Sequence, residues 1–170
     1  NVGDDGKVAS VVVNMGKPEL EASKVPVDVN ALVEYKAAYR NTYKNDATLC
    51  PLAVKALDNV ENAVINEAIL VDGKSYDIVY LDNDIDITKF DIEKVGPYFE
   101  NHKAFPERIN TEFVQVLDRK TLNMRVWERG SGETFACGTG TCATVVATVL
   151  NGMCDSKDVT VHLLGGDLKI

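Results

Sequence analysis

The sequence predicts an α+β domain. Three observations point there: a strong β-hairpin signature over residues 110–128, a small-residue apolar segment at 141–150 with helix-type bounds, and β-rich runs before and after both.

In chain order, residues 8–14 read as a strand, because β-branched residues run into the turn-forming Met15, Gly16, Lys17 and Pro18. From residue 21 to 62 the pattern is weak, with a short helix or connector at 54–63 and interruptions at Asn45, Asp46 and Pro51. Residues 63–71 and 76–81 are apolar runs flanking Asp72, Gly73, Lys74 and Ser75, which predicts a hairpin turning near Asp72-Gly73. Helical spacing over 91–102 is interrupted by Gly96 and Pro97, so two short helical turns are expected there.

Residues 110–117 and 122–128 are rich in β-formers and are joined by Asp118, Arg119, Lys120 and Thr121. If Asp118 pairs with Thr121, Asn110 lies opposite Arg129 and Thr111 opposite Glu128, which gathers polar groups at one end of the hairpin. Gly130, Ser131 and Gly132 then turn the chain. Cys137-Gly138-Thr139-Gly140 leads into 141–150, bounded by Asn151-Gly152. Its Val and Thr residues make that segment a poor helix by propensity, so either packing holds it as a helix, the favoured reading, or it is a strand. Residues 158–164 and 168–170 close the pattern as strands around Gly165-Gly166.

Composition narrows the function. The chain has 170 residues, 45% hydrophobic and 26% charged, which suits one folded domain with a sizeable core. Its apolar runs fall short of the roughly 20 residues a membrane helix needs. With a net charge of -8 and 18 scattered Lys and Arg residues, most of the surface repels a phosphate backbone, which argues against nucleic-acid partners. Cys50, Cys137, Cys142 and Cys154 form no Cys-x-x-Cys pair and read as reduced thiols. His102 and His162 stand far apart and away from paired cysteines, so no metal site is expected. No secretory leader is visible, and a start at Asn1 without Met reads as a cut.

One short stretch carries most of the chemistry. A cysteine just before a glycine-flanked helix start faces unpaired backbone N–H groups and the positive end of the helix dipole, which favours thiolate over thiol and suits Cys137 to act as a base. The same N–H groups, with Thr139, form a cradle for a carboxylate. The plain alternative is a buried cysteine that only packs, and that reading is kept for Cys142 and Cys154. Glu128 and Arg129 taken alone are an ordinary surface ion pair. Beside the cradle they become useful, because Arg grips carboxylates, Glu accepts from an ammonium and Asn110 does either, a set that matches a zwitterionic amino acid.

At 127–143 the string WERGSGETFACGTGTCA resembles the signature of diaminopimelate epimerases around the second of their two catalytic cysteines. VVVNMGKPE, VGPYFENHKAFPERINTEFV, MRVWERG and VHLLGGDLKI are similar to the same family in order and spacing. The resemblance implies a curved mixed or antiparallel sheet wrapped around a central helix, forming one lobe of a two-lobed enzyme that closes on its substrate. Residues 1–170 would be the C-terminal lobe, without the N-terminal lobe that carries the partner cysteine. It further implies a cytoplasmic isomerase of lysine biosynthesis that needs no cofactor and is a homodimer when intact. Cys137 would be one catalytic thiol, Asn110 and Arg129 would hold the distal end of diaminopimelate, and Glu128 with the amides of Gly138 and Thr139 the reacting end. Family members usually carry Gly-Asn-Pro-His where this chain reads Gly73-Lys74-Ser75-Tyr76, which puts Lys74 in place of a substrate-contacting Asn. Two other readings stand beside this one: a related racemase for another amino acid, such as histidine or proline, and a non-catalytic carboxylate-binding module.

Overall fold

The computed structural model describes residues 3, 4, 6–8, 10–20, 24, 69–71, 74–81 and 83–170. Among these residues seven strands occur, in chain order β1 (Ile69–Val71), β2 (Lys74–Tyr80), β3 (Asn110–Asp118), β4 (Thr121–Glu128), β5 (Gly132–Thr134), β6 (Thr160–Leu163) and β7 (Gly166–Lys169). They form one mixed sheet in the order β1-β2-β3-β4-β6-β7, with β5 added to β4. Among the described residues two helices pack on it, α1 (Ile92–Glu100) and α2 (Gly138–Leu150), and a 3-10 turn spans Ile87–Lys89.

The topology explains where the helices lie. β2 runs parallel to β3 and β4 parallel to β6, whereas β3 and β4 are antiparallel. A parallel pair needs a long crossover, which α1 supplies for the first and α2 for the second. Crossovers share one hand. These two step the same way across the sheet between strands of opposite direction, so they fall on opposite faces.

Side-chain alternation in β3 serves both faces. Phe113 meets Phe90 at 4.9 Å and Phe99 of α1 edge-on at 5.5 Å. On the other face Val114 joins Ile78, Met124 and Val126 in a core with Ala143, Val145 and Ala147 of α2. Thr141, Thr144 and Thr148 of α2 are fully buried, at positions that share a face. Their hydroxyls reach the Cys137 carbonyl at 2.7 Å, the Met124 sulfur at 3.1 Å and the Thr144 carbonyl at 2.7 Å. Satisfied hydroxyls and apolar burial thus hold a helix that propensity alone disfavours.

Several expectations are corrected. The strand expected over 8–14 does not appear among its described residues: Val8 and Glu19 make isolated bridges, residues 10–14 lie in no strand, and Val11, Val12 and Val13 are exposed without a ladder partner among the described residues. β-propensity needs a neighbour to pair with. Residues 91–102 form one helix rather than two short turns, because Pro97 removes a single intrahelical bond and Gly96 lets Trp127 pack against the backbone. In the central hairpin Asp118 does face Thr121, yet Thr111 faces Trp127 rather than Glu128, so the pairing of Asn110 with Arg129 is also displaced. The register shifts between Val116 and Asp118, where Leu117 is the extra, half-exposed residue of a bulge that turn-based counting does not see. The hairpin of β1 and β2 has Val71 opposite Lys74. Asp72 and Gly73, the possible helix at 54–63 and Cys50 lie outside the described residues.

A Cβ on Gly96 would sit 2.2 Å from Trp127 Cδ2. Gly96→Ala should therefore destabilise the domain by about 1–3 kcal/mol in urea denaturation; an unchanged midpoint would mean that Trp127 can shift freely.

Candidate active site

Cys137 is the N-cap of α2, with φ -135° and ψ 108°. Its sulfur does what a capping oxygen usually does, accepting the Gly140 N–H at 3.3 Å. Thr139 Oγ1 lies 3.5 Å from the same sulfur and the Tyr76 hydroxyl 3.9 Å. Tyr76 and Thr139 also hydrogen-bond each other directly, which ties β2 to the first turn of α2. Burial holds the Tyr76 phenol well above its ordinary range, so it stays a neutral hydroxyl at physiological pH. Gly138 and Thr139 supply the first two N–H groups of the helix, which have no intrahelical acceptor. The space beside Gly138 is open.

Beneath this cap lies a carboxyl the sequence reading passed over. Glu112, in the middle of β3, is completely buried, and neither carboxyl oxygen has a hydrogen-bond partner among the described residues. A Cβ on Gly140 would sit 2.1 Å from Glu112 Oε1 and 3.2 Å from Cys137 Sγ. That glycine is what lets the helix start descend onto the strand. Burial first, and then the negative charge of Glu128, push the Glu112 carboxyl well above its ordinary range and keep it protonated.

The polar end of the hairpin is assembled as well. Asn110 is buried, and its Oδ1 accepts the Arg129 backbone N–H at 2.8 Å. Glu128 Oε1 accepts from the Thr134 hydroxyl at 2.7 Å, across the β4–β5 pair. The Arg129 guanidinium points elsewhere, donating to the Glu107 carbonyl at 2.8 Å. The turn after β4 is pinned by Glu100, which accepts from Trp127 Nε1 at 2.8 Å, the Gly130 N–H at 2.9 Å and Arg108 at 2.8 Å.

Other candidates take structural places. Cys142 sits on α2, Cys154 is buried beyond it, and burial pushes both thiols up. His162 pairs with Asp167 at 2.7 Å at the surface, and His102 Nδ1 accepts the Ala104 N–H. Lys74 is exposed at the start of β2, two residues before Tyr76. Glu112 and Tyr76 did leave a trace in the sequence: Glu112 is in phase with Val114 and Val116, and Tyr76 with Ile78 and Tyr80, so each is a polar group on an inward strand position.

The family model for diaminopimelate epimerase matches residues 72–170. This chain belongs to the diaminopimelate epimerase family. Diaminopimelate epimerases of Agathobacter rectalis and Acetivibrio thermocellus are each 44% identical to it, over 98% of this chain and 53% and 51% of their own. That of Methanococcus maripaludis is 38% identical, over 98% of this chain and 52% of its own. The chain therefore spans about half the length of the curated relatives it matches. Among solved structures, a Bacillus anthracis phenazine biosynthesis protein of the PhzF family is 25% identical with a TM-score of 0.42, covering 58% of this chain and 30% of that one.

The family's cysteine loop thus rests on a buried acid, and stability should report it. In the unfolded chain Glu112 ionises around its ordinary value of 4.5, whereas the folded protein retains the proton. The contribution is complete below that pH and is lost as pH rises toward the raised folded value. Relative to Glu112→Gln, wild-type stability should fall as pH rises above the ordinary carboxyl value of 4.5, by at most about 1.4 kcal/mol per pH unit. Urea melts at several pH values measure this; a pH-independent difference would mean that Glu112 is ionised in the fold.

Proposed function

We propose that this chain supplies one of the two catalytic thiols that convert LL-diaminopimelate to meso-diaminopimelate, a step toward lysine and peptidoglycan precursors. One arrangement carries the reading: Cys137 caps α2 at the end of the sheet where Asn110, Glu128 and Arg129 converge. A thiolate there faces the open space beside Gly138, where a substrate carboxylate can take the N–H groups of Gly138 and Thr139. Glu128 accepts from the reacting ammonium, and Asn110 and Arg129 hold the distal amino-acid end. For that, the Arg129 guanidinium leaves the Glu107 carbonyl while its backbone N–H stays on Asn110.

In this mechanism one thiolate removes the Cα proton and a thiol on the opposite face delivers another, so the centre inverts with no net change in protons or electrons. Charge that develops on the substrate carboxylate falls on the same helix-end amides. Neither pyridoxal phosphate nor a metal is required. The second thiol comes from a further N-terminal lobe, so residues 1–170 act as the C-terminal lobe. Exposed apolar surface supports a missing partner: Phe135 is 76% exposed two residues before Cys137, and Val12, Val13, Met15, Cys142, Val146 and Ile170 line an open groove. The intact enzyme is a homodimer in this reading, and paired reduced thiols suit the cytoplasm.

Lys74 favours a second reading, a racemase for another amino acid, since the family usually has Asn there. Assaying the full-length enzyme on a panel of amino acids separates the two, because preference for a monocarboxylic substrate would exclude diaminopimelate. Cys137→Ala in the full-length enzyme should lower epimerisation by about 10²–10⁴-fold with the protein still folded; undiminished turnover would refute the assignment. Residues 1–170 alone should show no epimerisation, and measurable activity would refute the two-lobe requirement.

A further inference from the structure

Glu112 has no part in the mechanism above, yet it occupies the most constrained position in the site. Its carboxyl is fully buried, and both oxygens lack a partner, a rare condition for an interior polar group. The oxygen Oε1 and the Cys137 sulfur border one small space, the one a side chain on residue 140 would fill, at 2.1 and 3.2 Å from that point. Neighbouring groups are engaged elsewhere. Tyr76 on β2 is hydrogen-bonded to Thr139, Glu128 on β4 accepts from Thr134, and Asn110 on β3 accepts from the Arg129 amide. From α2, Cys137 borders the same space as the carboxyl, and Cys142 lies further along the helix.

We infer that Glu112 is a positioning residue for Cys137: a carboxylic acid whose hydroxyl hydrogen turns onto the sulfur when the thiol ionises. The hydrogen stays on the carboxyl, and no covalent bond changes at Glu112. The thiolate then gains the acid as a donor on its protein side, beside the Gly140 N–H and the nearby hydroxyls of Thr139 and Tyr76, and keeps its outer side for the substrate Cα proton. A neutral acid is suited to this. An ionised one would repel the thiolate, whereas a charge-assisted hydrogen bond to sulfur favours it. The inference adds a residue to the proposed thiol site, so it rests on that reading for its catalytic meaning but not for its chemistry.

The test is the rate at which iodoacetamide alkylates Cys137 in residues 1–170 and in the full-length enzyme at about pH 7.5, read on the Cys137 peptide by mass spectrometry. Glu112→Gln keeps the shape and a donor, and should alkylate within about twofold of wild type. Glu112→Leu keeps the bulk but loses the donor, and should be about tenfold slower. Rescue by Gln but not Leu is what a merely structural role would not produce. Equal rates in all three would overturn the inference, as would faster alkylation in Glu112→Gln, the sign expected if the native carboxyl were a charged anion. Should Glu112→Leu fail to fold, the infrared carbonyl band of the Glu112 acid decides: it should move when Cys137 ionises, and a stationary band would overturn the proposal. None of these readouts needs turnover. A full-length Cys137→Ala enzyme that still epimerises would sink the functional reading while leaving this one separately decided.

Discussion

The close approach of α2 to β3 at Gly140 is the constraint on which the site depends. No side chain fits between the first turn of the helix and the Glu112 carboxyl. With the helix seated at that depth, Cys137 caps it from inside the fold, Thr139 reaches Tyr76 on the neighbouring strand, and Glu112 is cut off from water. A helix so rich in Thr and Val does not hold this position through its own propensity. It is held by the apolar face shared with β2, β3 and β4, and by hydroxyls that find partners within that face.

Electrostatically, the site separates carboxyls by environment. Glu112 is kept as an acid by burial and by the charge of Glu128, whereas Glu128 is partly open and held by Thr134. Glu100, under the turn after β4, gathers an indole, an amide and a guanidinium. Three carboxyls thereby take different tasks, Glu112 beneath the helix cap, Glu128 bridging β4 to Thr134 of β5, and Glu100 holding the loop between β4 and β5. Environment, not residue type, assigns them.

This chain of the diaminopimelate epimerase family spans about half the length of the curated relatives it matches, and it carries exposed apolar side chains. Valines at 11–13 and Phe135 stand in solvent while the residues behind them pack a dense core. Contiguous apolar surface of this kind is suited to packing against another element.

The central hairpin, the helix after Cys137, the strands near the C-terminus and the role of Cys137 as a helix cap were all legible in the chain itself. Each follows from local rules of alternation, glycine punctuation and capping, and those rules act over a few residues. The parallel pairings of β2 with β3 and β4 with β6, the bulge at Leu117 and the lack of a ladder at residues 10–14 among the described residues were not legible, because each depends on which distant segment lies alongside. Asn110, Glu128 and Arg129 could be named from the sequence, but tertiary packing decided that the Arg129 side chain turns to Glu107 while its amide meets Asn110. Only the tertiary structure could single out Glu112. A glutamate in a strand is ordinarily solvated, and what changes its chemistry is a glycine 28 positions further along the chain.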